Sequence, residues 1–302
     1  MLSPGALRCF GAASALTGAC LLTSCGYVSA RIFPKPAEPA QSELIAIARH
    51  VHEQRLARAE TLRDPKTHWL TPDDCDGFLW QAKYSAAKGV SDVALELAED
   101  PTTPGRFVRK PWPASDCKDS WSGDMGWGLI EYSNAKKDYT LLDRHIEYGE
   151  ANATFCGNPN TCTWTMGSGY GAIYKPSLIG FIYRLRDSPR GRWPSELEYP
   201  GGLSDYQAHL QIMNIHVRGD IEGSITDAMH DRVLEHSTRE PGNTFYWFLR
   251  GKYNGDMTRA LSNCIDGTKA DYVRCGVGLN PELCQLAEDI FACDLVLNAV
   301  LP

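Results

Sequence analysis

The sequence lacks several features that would place it in a well-defined functional class. No long apolar run follows Leu22, so no membrane-spanning helix is predicted beyond the N-terminal segment. The 30 Lys and Arg residues form no dense cluster and are outnumbered by 37 Asp and Glu. The resulting net charge of −7 argues against a nucleic-acid partner. Neither a C-x-x-C pair nor an HExxH motif occurs, so we expect no metal and no other cofactor.

Strand-like alternation is also scarce, and residues 161–166 are the one good candidate. Helical periodicity dominates instead. It predicts helices near 76–88, 93–98, 171–186, 224–238, 243–252 and 256–264, with others that begin near 42, 124, 138, 205 and 281. Gly219 is expected to end the helix that begins at Asp205. The sequence therefore predicts an all-α protein, either a helical-hairpin array or an incomplete (α/α) toroid, with at most a minor β element near 161–166.

The N-terminal segment has the layout of a secretory signal. Arg8 precedes a short apolar stretch that ends in Leu22-Thr23-Ser24-Cys25. These last four residues resemble a bacterial lipobox, which implies that residues 1–24 are a lipoprotein signal peptide and that Cys25 is lipidated. The alternative is an ordinary cleaved signal that leaves Cys25 unmodified.

The remaining chain divides into a tether and one domain. Residues 25–40 contain three prolines and no hydrophobic periodicity, so they are expected to form a lipidated tether, and residues 41–302 a single α-helical domain. The expected location is outside the cytoplasm, with the membrane as a partner through the lipid. Gly26 resembles a sorting signal to the outer membrane, facing the periplasm, if the source has two membranes.

Cysteine usage agrees with export. Eleven cysteines are present, and eight follow Cys25. Cys284 and Cys293 lie nine residues apart on one predicted helix and face opposite sides, so their partners should be Cys264 and Cys275. A turn-rich loop brings Cys156 and Cys162 together, and Cys75 with Cys117 is left by elimination.

Two predicted helix starts share an acidic residue and a tryptophan. Asp76 is followed by Trp80, and Asp124 lies between Trp121 and Trp127. A third start, at residues 164–171, carries the aromatic and glycine character without the acid. Carboxylates bind hydroxyls or transfer protons, and indoles offer flat faces for sugar rings.

Helix starts of this kind resemble those of (α/α) toroid carbohydrate-active enzymes, and the resemblance is strongest over residues 71–135. It implies a glycoside hydrolase or lyase whose cleft is lined by helix N-termini. Such a hydrolase needs two carboxylates, for which Asp76 and Asp124 are the catalytic candidates and Asp74 and Glu131 the reserves. The candidate substrate-binding residues are Trp80, Trp121, Trp127, Trp164, Tyr170 and His209.

A structural interpretation stands beside the enzymatic one. Aspartate is a favoured helix N-cap, and tryptophan is often a core residue. The second hypothesis is therefore a non-catalytic envelope lipoprotein that binds a glycan or an envelope protein. An esterase built around Ser168 is a third and weaker alternative, because the G-x-S-x-G spacing is absent.

Overall fold

A computed structural model of the chain describes residues 40–90, 94–113, 121, 123–151, 201–203, 205–272 and 281–301. The predictions on the signal peptide, the lipidated Cys25, the tether and the β element at 161–166 lie outside these residues. So do those on Cys117, Cys156, Cys162, Trp164, Ser168, Tyr170 and Cys275.

The part of the chain that the structure describes is helical, which confirms the all-α prediction. It contains no strand, only an isolated β-bridge between Glu99 and Phe107. A 3₁₀ helix spans Leu95–Ala98. The α-helices are α1 (Gln41–Leu62), α2 (Gly77–Ala86), α3 (Gly123–Lys136), α4 (Thr140–Ala151), α5 (Asp205–Glu222), α6 (Asp227–Arg239), α7 (Thr244–Asn254), α8 (Thr258–Asp266) and α9 (Pro281–Val300).

Several helix ends follow from local side-chain chemistry. The Asn243 side chain accepts a hydrogen bond from the Tyr246 N–H at the start of α7, and Thr226 caps α6 in the same way. Gly255, with φ of 78°, ends α7 in the left-handed conformation that glycine tolerates.

The predicted end of α5 at Gly219 is wrong. The helix continues to Glu222, and Gly223 follows it with φ of 72°. Gly219 serves packing instead, because a Cβ atom there would lie only 1.8 Å from the Tyr253 hydroxyl oxygen. A larger residue at position 219 would therefore require the Tyr253 side chain to move.

The helices pack as a circuit. Contacts run from α2 to α3, from α3 to α5, through α6, α7 and α8 in turn to α9, and from α9 back to α2. Helix α1 packs across α8 and α9. Helix α9 also contacts α7, so α9 is buried on most sides. Its buried residues include Ala287, Ile290 and Phe291. None of the described helices is long and apolar enough to cross a membrane.

A disulfide joins α8 to α9. It links Cys264 to Cys293 with a Cα–Cα distance of 5.1 Å, which confirms one of the two partners predicted for Cys293. It also excludes a bond between Cys284 and Cys293. Cys75 and Cys284 each take part in a disulfide as well.

Candidate functional site

The first candidate acid, Asp76, lies at the tight turn that precedes α2. The Asp74 side chain accepts a hydrogen bond from the Asp76 N–H at 2.7 Å, and the Asp74 carbonyl accepts one from Gly77. A Cβ atom at residue 77 would lie 2.5 Å from the Thr71 carbonyl oxygen, so the turn requires glycine there. Asp76 occupies the N-cap position, but its side chain makes no capping hydrogen bond. Its carboxylate is therefore available for another role.

Arg109 holds the Asp76 carboxylate. Its guanidinium donates to Asp76 Oδ1 at 2.7 Å and also to the Cys75 carbonyl at 3.3 Å. The Arg109 carbonyl in turn accepts a hydrogen bond from the Phe78 N–H at 2.9 Å. The loop that contains Arg109 is therefore bonded to the start of α2 through both the side chain and the backbone of this residue. The Asp76 side chain stays 37% exposed, which leaves it open to a solvent-borne ligand.

Asp124 provides the second acid of the site. It lies in the first turn of α3 and is buried, with 6% of its surface exposed. Burial and the negative charge of Asp124 together raise the pKa of Asp76 to about 6, although Arg109 opposes the shift. The structure thus brings Asp76 and Asp124 close enough for their charges to interact.

The two reserve acids have other surroundings. Asp74 is fully buried, and Cys284 Sγ lies 3.4 Å from its Oδ2 atom. Glu131 lies two turns beyond Asp124 on α3, which is about 10 Å along the helix axis. Both Glu131 carboxylate oxygens contact His216 Nδ1 at 3.0 Å. Glu131 therefore belongs to a separate buried group.

Three of the four tryptophans predicted to bind sugar lie among the described residues, and all three are core residues. Trp80, Trp121 and Trp127 are exposed by 2%, 2% and 5%. The Trp121 ring lies 4.7 Å from the Phe78 ring and 5.0 Å from the His145 ring, in an aromatic cluster. Their flat faces are covered by neighbouring side chains rather than turned to solvent.

His209 is also buried, at 1% exposure, and it stacks on Tyr272 with ring centroids 3.6 Å apart. Neither ring nitrogen has a hydrogen-bond partner, as far as the described residues show. Burial, followed by the positive charge of Lys83, lowers its pKa well below the usual range. The imidazole is therefore neutral over the physiological range.

Two residues that the sequence analysis did not select belong near this site. Arg109 pairs with Asp76, and Trp112 is an exposed aromatic three residues later. The run Arg109-Lys110-Pro111-Trp112-Pro113 was the available signal, because a proline-rich run without hydrophobic periodicity indicates a surface loop. Among the described residues, no group of His, Cys, Asp and Glu is arranged to hold a metal ion.

Comparisons with known proteins return no match, whether with protein-family models, curated proteins or solved structures.

Proposed function

We propose that this protein is an exported, lipid-anchored enzyme that cleaves glycosidic bonds, with Asp76 as the general acid and Asp124 as the second carboxyl group of the reaction. The observation that supports this most strongly is the raised pKa of Asp76, at about 6, beside the Asp124 carboxylate. Acid–base cleavage of a glycoside requires two carboxyl groups, and the general acid among them must still carry a proton near neutral pH.

Each of these side chains has its own role in the cleavage of the glycosidic bond. Protonated Asp76 donates its proton to the glycosidic oxygen as the bond between that oxygen and the anomeric carbon breaks. Asp124 either removes a proton from the attacking water or attacks the anomeric carbon itself, according to the separation of the two acids. Arg109 orients the Asp76 carboxyl through its contact at 2.7 Å. In a lyase, Asp124 would instead abstract a carbon-bound proton.

A non-catalytic envelope protein is the second candidate, and the Arg109–Asp76 ion pair favours it. This pair joins the loop that contains residue 109 to the start of α2, a structural task that needs no substrate. The burial of Trp80, Trp121 and Trp127 fits the same interpretation.

An activity assay with three variants separates the two candidates. We expect the purified protein to release reducing ends from peptidoglycan or from soluble oligosaccharides, and D76N and D124N to abolish this release. Asp256→Asn is the matched control, because this exposed aspartate accepts a hydrogen bond from the Thr258 N–H just before α8, and the asparagine side-chain oxygen can accept the same bond. Products that absorb in the ultraviolet as unsaturated sugars would identify a lyase. No cleavage of any glycan would leave the binding protein as the function, whereas equal cleavage by all variants would exclude Asp76 and Asp124 as the catalytic acids.

The pH profile tests the role of Asp76 directly. Because the acid must be protonated, activity should fall as pH rises through about 6, the pKa of Asp76. Arg109 lowers that pKa, so Arg109→Gln should move the alkaline limb of the profile to higher pH. An alkaline limb that is unchanged in this variant would exclude Asp76 as the acid.

A further inference from the structure

Trp112 is more exposed than the other tryptophans that the structure describes. Four large apolar residues of the described chain are substantially exposed, and Trp112, at 39%, is the one aromatic among them; the others are Ile47, Leu97 and Leu234. Burying apolar surface is favourable, so a ligand that covers this indole ring gains a stabilising contact.

Trp112 lines a surface pocket of about 240 Å³. Pro72, Pro111 and Pro113 supply further apolar wall, and four charged side chains surround it: Asp64, Lys66, Asp73 and Lys110. Ligand pockets for drug-sized molecules usually measure about 300–1,000 Å³, so this smaller one suits a single ring.

The backbone around the pocket is held in place. The Trp112 N–H donates to the Leu97 carbonyl at 2.7 Å. On the opposite side, Asp64 Oδ1 accepts from the backbone N–H groups of Lys66 and Thr67 at 2.9 and 2.7 Å. The pocket is therefore already formed before a ligand binds, which reduces the conformational entropy that the protein loses on binding.

The pocket combines an aromatic ring with charged side chains, and this combination suits a sugar ring. An indole face carries negative partial charge and attracts the polarised C–H bonds on the face of a sugar ring. Exposed Asp73 and Lys66 can accept from and donate to the hydroxyls at the ring edge. An apolar ligand would leave these charged groups unused, and a simple ion would leave the indole unused.

The pocket is also close to the proposed catalytic acids along the chain. Asp73 precedes Asp76 by three residues, and Arg109, which binds Asp76, precedes Trp112 by three. Three residues span at most about 11 Å, so both sides of the pocket connect to the acid site by short segments.

We propose that the Trp112 pocket is a sugar-binding subsite, in which one ring of a glycan stacks on the indole while a neighbouring bond reaches Asp76. The second half of this statement rests on the proposed function. The first half, sugar binding at Trp112, holds whether or not Asp76 is catalytic.

Calorimetric titration with three tetrasaccharides tests the subsite: cellotetraose, chitotetraose and tetragalacturonate. We expect at least one to bind the wild-type protein, and Trp112→Ala to weaken its binding about tenfold. Trp112→Phe retains a ring and should restore most of the affinity. Trp247→Ala is the matched control, since Trp247 is a partly buried tryptophan whose ring packs under Arg250, and it should bind as the wild type does.

The outcomes separate this proposal from the enzymatic one. Asp256→Asn, at an exposed aspartate that does not line the pocket, should bind the tetrasaccharide with wild-type affinity. Binding that depends on Trp112 while D76N cleaves glycans normally would retain the subsite and remove Asp76 from the mechanism. If no tetrasaccharide binds, or if Trp112→Ala binds as tightly as the wild type while its melting temperature is unchanged, the subsite proposal fails.

Discussion

Lys83 and Glu288, 205 residues apart in the chain, form an ion pair in which neither side chain is exposed. The pair joins α2 to α9, and the Tyr272 hydroxyl donates to the other Glu288 oxygen. Four aromatic rings surround the Lys83 ammonium with centroids 5.1–5.8 Å away, those of Trp80, Phe245, Tyr272 and Phe291. Burial lowers the pKa of Lys83, while Glu288 opposes the shift.

Removal of one partner of this pair should destabilise the fold severely. We expect Lys83→Met to lower the free energy of unfolding by about 3–5 kcal/mol, because Glu288 would remain as a buried charge without a counter-ion. Urea denaturation measures the change. The double variant K83M/E288Q should recover much of the loss, since the amide is neutral and still accepts from Tyr272. A double variant as unstable as the single one would mean that lost packing, not the charge, explains the effect.

The Cys264–Cys293 disulfide should contribute measurably to stability. The two residues are 29 apart in sequence, and a loop of that length corresponds to about 3–4 kcal/mol of chain entropy removed from the unfolded state. We expect the double variant C264A/C293A to unfold at correspondingly lower urea concentration. Peptide mapping of the non-reduced wild type should recover the linked pair. A variant within about 1 kcal/mol of the wild type would contradict this prediction.

His216 should make stability depend on pH. The ring contacts Glu131 at 3.0 Å and Asp220 at 3.4 Å. Burial and Lys252 disfavour the charged ring, but the two carboxylates raise its pKa overall. The folded state thus holds the proton more tightly than the unfolded state. This stabilisation is complete below about pH 6.5, the pKa of an unperturbed histidine, and is lost as pH rises through the folded pKa.

The measurement compares unfolding free energies at about pH 6 and about pH 9. We expect the wild type to lose more stability over this range than His216→Asn. Glu131→Gln removes the largest cause of the upward shift and should lower the pKa of His216 in an NMR titration. An unchanged titration would show that Glu131 does not control this ring.

Membrane attachment should depend on Cys25. If this cysteine carries the lipid, Cys25→Ser moves the protein from the membrane fraction to the soluble fraction, because one thiol is the acceptor of the acyl anchor. Cys20→Ser is the matched control and should remain with membranes. Cell fractionation with immunodetection makes the measurement, and membrane association that persists in Cys25→Ser would exclude lipidation there.

Much of the helical framework was predictable because its signals are local. Asn243 caps α7 from the position next to it, and Pro281 begins α9 at the first helical position, where its missing N–H is harmless. The geometry of one helix was enough to exclude a Cys284–Cys293 bond. By contrast, Gly219 resembled a helix end, and only its contact with Tyr253 explains why a glycine lies within α5.

The candidate site was predictable in part. The acidic helix starts identified Asp76 and Asp124, but the burial of Trp80, Trp121 and Trp127 depends on which helices pack against them. Arg109 and Trp112 lie in a loop, and the sequence of this loop has no hydrophobic periodicity from which its conformation could be predicted.

The sequence by itself determined that this protein is built of helices, where most of them begin, and which side of α9 Cys293 faces. These are properties of residues within a few positions of one another, governed by backbone hydrogen bonding and side-chain periodicity. Only the tertiary structure decided which acids have a raised pKa, which lysine is buried against Glu288 and which of the described tryptophans is the most exposed. Each of these depends on charge, burial and packing between segments far apart in the chain, which no local pattern records.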